Sequence, residues 1–204
     1  GYMDEETIGL FQAASGVSLK YTEAFNDNNE YFAKIQPEMS KGKTIAPDIL
    51  APTFWMAARL VQLGWVQKLP KADIPNFVNL RDDLSGQSWD KNDEYHLPYQ
   101  SGIAGIAYNS KITGRELKSV ADLFDPAFKG KIGMLTEMRD TIRLAMLANG
   151  DDPAKADRAS FDRAIALIEP SVTDGTVRAF TGNDYKELIV KGDVAACVAW
   201  RGDT

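Results

Sequence analysis

Two acidic residues three positions apart, Glu137 and Asp140, open a helical pattern that follows the apolar run 131–135. That spacing sets both carboxylates over one side of a first helical turn. Locally they read in two ways: as acids matched to the helix dipole, with Arg139 between them for balance, or as anions aimed at a cationic ligand. Trp55 follows the short apolar run 48–51, and Trp200 closes the run 194–200. Open α/β sheets bind ligands beyond the carboxyl ends of their strands, which is where both indoles fall. Tryptophans so placed also serve as core or interface anchors.

Other chemistries find little support. The single cysteine, Cys197, lies in the apolar run VAACVAW and reads as a buried, inert thiol. The one histidine, His96, has no partners at triad spacing and reads as structural or exposed. One Cys and one His make neither a disulfide nor a zinc site. Gly42-Lys43-Thr44 resembles the end of a phosphate loop, but Pro37 stands where that motif requires glycine. Arg201-Gly202-Asp203 spells an adhesion tripeptide that a turn after a strand explains better. No nucleophile elbow or dinucleotide fingerprint is present, so the sequence points to binding and not to an enzyme, with no cofactor and no metal.

The elements that must position these residues are legible as alternating patterns. Asp4 caps a helix whose first turn carries Glu5 and Glu6, with Ile8, Leu10, Phe11 and Ala14 on one face and Gly16 at its end. Val17, Leu19 and Tyr21 alternate as a strand, and a helix runs through Tyr31, Phe32 and Ile35. A buried strand is expected at 48–51, then Thr53 as cap of a helix from Phe54 to Leu63, stopped by Gly64. From 67 to 98 the pattern dissolves, punctuated by Pro70, Pro75, Gly86 and Pro98. Strands at 102–108, 131–135, 176–180 and 194–200 then alternate with helices at 119–124, 138–148, 153–168 and 184–190. The fold class is α/β with a largely parallel sheet. A boundary near residue 102 divides a first lobe, 1–101, from a second, 102–204.

The 204 residues are 44% hydrophobic and 25% charged, enough apolar material for a real core. The net charge of −6 argues against a non-specific nucleic-acid partner. No run approaches the length of a membrane span, and the acidic start GYMDEET is not a signal peptide. A helix at residue 4 with no strand before it, and an end four residues after a buried strand, suggest a fragment lacking a first strand and a C-terminal part.

With these residues placed, the sequence resembles the polyamine-binding (spermidine/putrescine) subclass of bacterial extracellular solute-binding proteins that serve ABC importers. The resemblance rests on NDNNEYFAKI (26–35), DILAPTFWMAARLVQLGWVQKL (48–69), IPNFVNL (74–80), YHLPYQSGIAGIAYN (95–109), SVADLFDPAFKGKIGML (119–135), FTGNDYKELIVKGD (180–193) and AWRGD (199–203). It implies a type II periplasmic-binding-protein-like fold, in which two lobes flank a cleft and close on ligand. It also implies the ligand positions Tyr2, Thr53, Trp55, Glu137, Asp140 and Trp200. Rings would cover the polymethylene chain, and carboxylates would meet its ammonium groups. The family's more usual order of the paired acids, Asp then Glu, is inverted here. The resemblance further implies ABC permease partners, a monomer, and a periplasmic or extracellular location, with or without a lipid anchor. The wider family leaves thiamine and ferric iron open as ligands, and a sensor domain as an alternative use.

Overall fold

The computed structural model describes residues 3–203, so Tyr2 lies outside the described residues. The chain divides into two compact units, Gly1–Ala46 and Pro47–Thr204.

In the first unit, α1 (Glu5–Ser15) is capped by Asp4, whose carboxylate accepts from the amides of Glu6 and Thr7, and Gly16 closes it in the left-handed conformation (φ 70°). Its apolar face is not buried: Leu10 and Phe11 are both exposed. Helix α2 (Asn28–Met39), capped by Asp27, buries Tyr31, Phe32 and Ile35. The expected strand at 17–21 is irregular and joins no ladder among the described residues. Alternation supplies the residue pattern of a strand, whereas hydrogen bonds to a neighbour make it one.

The second unit opens with another correction of the same kind. Residues 48–51 join no ladder among the described residues, and Ile49 is 87% exposed. Helix α3 (Phe54–Gln62) follows, with Thr53 at the N-cap position but its hydroxyl making no capping bond. The segment 67–98 holds only short 3₁₀ turns and the isolated bridge Gln87–Asp90, as its punctuation predicts. It is ordered by buried polar groups. Asp90 accepts from the amides of Glu94, Tyr95 and His96 at 2.9, 2.9 and 3.2 Å, and from His96 Nδ1 at 2.8 Å. The rings of Phe54 and Trp89 pack on that imidazole with centroids 5.3 and 4.3 Å away.

Among the described residues, every β-strand lies beyond residue 103. One four-stranded sheet has the order β1-β4-β2-β3, with β1 (Ala104–Tyr108), β2 (Ile132–Leu135), β3 (Val177–Thr181) and β4 (Ala196–Trp200). Strand β2 runs parallel to β3 and β4, while β1 is antiparallel to β4. The two central strands are buried on both faces: Ile132, Leu135, Ala196 and Val198 are at most 1% exposed. Burial of the branched side chains Ile132, Leu135 and Val198 contributes about 1.5–3 kcal/mol each, and double burial is why these strands read as continuous apolar runs. Gly133 is required by close strand approach, since a β-carbon there would meet Cys197 Cβ at 3.1 Å. The same burial pushes the Cys197 thiol up to about 12.

Helices α4 (Ser110–Thr113), α5 (Met138–Ala148), α6 (Arg158–Thr173) and α7 (Tyr185–Lys191) complete the unit, with α5 packed on α6. The expected helix at 119–124 is a 3₁₀ turn, Val120–Phe124, closed by a Ser119–Asp122 capping box. The helix expected at 153–168 instead begins at Arg158 and runs to Thr173. A 3₁₀ turn occupies Pro153–Lys155, and the box formed by Asp157 and Ser160 is the stronger start signal.

Candidate functional site

Because β2, β3 and β4 are parallel, their carboxyl ends reach one edge of the sheet. From Leu135 the chain crosses Thr136 and enters α5 with Glu137 as its N-cap. Glu137 Oε1 accepts from the Arg139 amide at 3.3 Å. Its other oxygen, Oε2, accepts from Trp55 Nε1 at 3.1 Å, which ties the start of α3 to the start of α5. Asp140, one turn into α5, accepts at Oδ2 from Trp200 Nε1 at 3.0 Å. Each acid of the pair is therefore held by the indole N–H of one of the tryptophans singled out in the sequence. Glu137 is buried, and Asp140, Trp55 and Trp200 are half-buried.

Trp200 packs against the hydrophobic core of the sheet as well as bonding Asp140, and Trp55 is half-buried. Their N–H edges bond the carboxylates, and both rings are half-buried. A carboxylate needs hydrogen bonds to tolerate burial. A neutral indole N–H satisfies one lone pair while leaving the negative charge uncancelled, so the acid stays attractive to a cation.

Two further groups belong to this edge and were not anticipated. The Arg139 guanidinium lies over the Trp55 ring, 4.0 Å from its centroid. Tyr185, 1% exposed, accepts at its hydroxyl from the Trp200 amide at 3.2 Å and donates to Asp203 Oδ2. Its ring meets the Trp200 ring edge-on at 5.8 Å. Asp203 also lies 3.7 Å from Lys186 Nζ. The turn reading of 201–203 holds for the backbone, but the aspartate has a structural attachment that the tripeptide did not reveal. Thr53 is exposed at the N-cap of α3, two residues before Trp55.

At the carboxyl ends of its parallel strands the α/β sheet thus carries two carboxylates, each bonded to an indole. The family of bacterial extracellular solute-binding proteins matches residues 7–204, and the chain belongs to it. It is 24% identical over 205 residues to the spermidine/putrescine-binding periplasmic protein 1 of Haemophilus influenzae, covering 98% of this chain and 54% of that protein. It is 30% identical over 218 residues to the putrescine-binding periplasmic protein SpuD of Pseudomonas aeruginosa, covering 99% and 56%. Among solved structures, the Tp0655 (TpPotD) lipoprotein of Treponema pallidum superposes with a TM-score of 0.82 at 19% identity, over 99% of this chain and 61% of that one. The fold is thus the periplasmic-binding-protein type expected from the sequence, and the chain spans little more than half the length of the curated relatives it matches.

Proposed function

We propose that the full-length protein is the solute-binding component of an ABC importer, capturing a polyamine such as spermidine or putrescine and delivering it to a permease. The observation that carries this reading is the double pairing at one sheet edge, Trp55 with Glu137 and Trp200 with Asp140. A polyamine is an apolar chain studded with ammonium groups. Rings whose faces cover methylenes and whose edges hold carboxylates meet both halves of that chemistry. Nothing in this role requires turnover; the ligand is bound and released unchanged.

On this reading the ligand contacts are Trp55, Glu137, Asp140 and Trp200, joined by Tyr2 and Thr53. The lobes divide near residue 102, as 1–101 and 102–204, and the protein acts as a monomer in the periplasm or outside the cell. No helix among the described residues is long and apolar enough to cross a membrane.

Calorimetry of the full-length protein against putrescine, spermidine, spermine and thiamine tests the assignment. We expect saturable binding of at least one polyamine, accompanied by a tryptophan emission shift that neither phosphate nor a divalent metal produces. Binding of thiamine alone, or of no amine, would overturn it.

A further inference from the structure

The cation already present on the Trp55 ring has a consequence for ligand capture. Arg139 is exposed, and its guanidinium covers the ring face at 4.0 Å from the centroid. Although it stands between Glu137 and Asp140 in the chain, it makes no ion pair with either among the described residues. The geometry explains this. Each carboxylate is turned toward an indole edge, so the ring face is what remains for the arginine.

We propose that Arg139 is a specificity-determining residue: an internal cation that occupies the Trp55 face when no ligand is bound and opposes entry of an ammonium there. The inference rests on the polyamine reading above. An ammonium approaching Glu137 must either displace the guanidinium from the ring or lie close beside it. Displacement forfeits a stack that, at an exposed site, corresponds to about two- to five-fold in an equilibrium. Coexistence sets like charges together, a penalty that grows with the number of charges on the ligand and shrinks with salt. Arg139 thereby weakens capture overall and weakens it most for the more highly charged amine. It also keeps an aromatic face covered while the site is empty.

The test compares the full-length wild type with Arg139→Gln and Arg139→Lys, titrated calorimetrically with putrescine and spermidine at low and high salt. Arg139→Gln should bind both amines about two- to five-fold more tightly, with the larger gain for spermidine and a smaller gain at high salt. Arg139→Lys, which keeps the charge on a weaker stacking group, should fall between Arg139→Gln and wild type. Equal thermal midpoints for the three proteins would exclude a general packing change as the source of the gain. Unchanged or weaker binding by Arg139→Gln, where wild type binds these amines, would overturn the inference alone. If wild type binds neither amine, the polyamine reading fails first and takes this inference with it.

Discussion

The molecule makes the same kind of bond, a ring N–H to a carboxylate, once in the segment 67–98 and twice at the sheet edge, and uses it differently. At Asp90 the carboxylate collects four donors, three of them backbone amides and the fourth the His96 ring, under the rings of Phe54 and Trp89. At Asp140 the only donor among the described residues is the Trp200 indole, and the acid is half-buried. Saturated acids fix backbone; under-supplied ones keep capacity for a partner that arrives later. The difference lies in how many lone pairs the fold itself fills.

The largest effect that tests this contrast is on stability. Replacing Asp90 with alanine strands three amides and an imidazole in a buried place, and should cost about 3 kcal/mol in urea unfolding. Ligand affinity of the folded fraction should stay unchanged. Burial pushes the Asp90 carboxyl up, but the bonds from His96, Tyr95 and Glu94 outweigh it and hold the group below the usual carboxylate range. A lowered folded pKa means the unfolded chain takes up the proton more readily. The stabilisation is therefore complete above the unfolded carboxylate value and lost as pH falls below about 4. Stability of Asp90→Ala should fall less steeply with acid than wild type over that window. Equal slopes would show that the donors do not distinguish the folded state.

The next effect is on binding. Glu137→Gln and Asp140→Asn keep shape and remove charge, and each should weaken polyamine affinity by about 1.5–3 kcal/mol, the scale of a hydrogen bond to a charged group. Unfolding midpoints should move far less than for Asp90→Ala. If the amides instead lose stability and keep affinity, the acids at α5 are helix-dipole partners and the contrast collapses.

How much of this was readable from sequence follows the range of each interaction. The cap Asp4 acts within three residues, and the apolar runs of β2 and β4 announce double burial without knowledge of their neighbours. The stretches 17–21 and 48–51 failed because a strand is defined by its partner. The two acids and two tryptophans were identifiable by type and by their place at element ends. Their pairing was not: Trp55 and Glu137 are 82 positions apart, Trp200 and Asp140 are 60 apart, and no local pattern encodes which indole meets which carboxylate. Arg139 was visible as a charge between the two acids, but its stack on Trp55 depends on the same long-range contact. Tyr185 escaped for the same reason, reading as an ordinary residue of a short helix until β4 brought Trp200 and Asp203 to its hydroxyl.

The smallest effect is also the most discriminating. Trp200→Phe keeps an aromatic face and the edge-on contact with Tyr185 but deletes the N–H that holds Asp140. In the ligand-free protein this should cost no more than about 1 kcal/mol, since the acid is half-buried and water replaces the lost donor. The effect on binding depends on what the bond is for. If the indole positions Asp140, a carboxylate free to rotate must be ordered when the ammonium arrives, at a cost of about 0.5–1.5 kcal/mol. Affinity should then fall roughly three- to ten-fold. If the bond merely occupies a lone pair, its removal frees that lone pair for the ligand, and affinity holds or rises. A phenylalanine variant that binds as tightly as wild type, alongside an Asp140→Asn that binds poorly, would assign the charge to the ligand and leave the indole only its ring. Loss in both would make the indole and the acid one binding element, organised before the ligand enters.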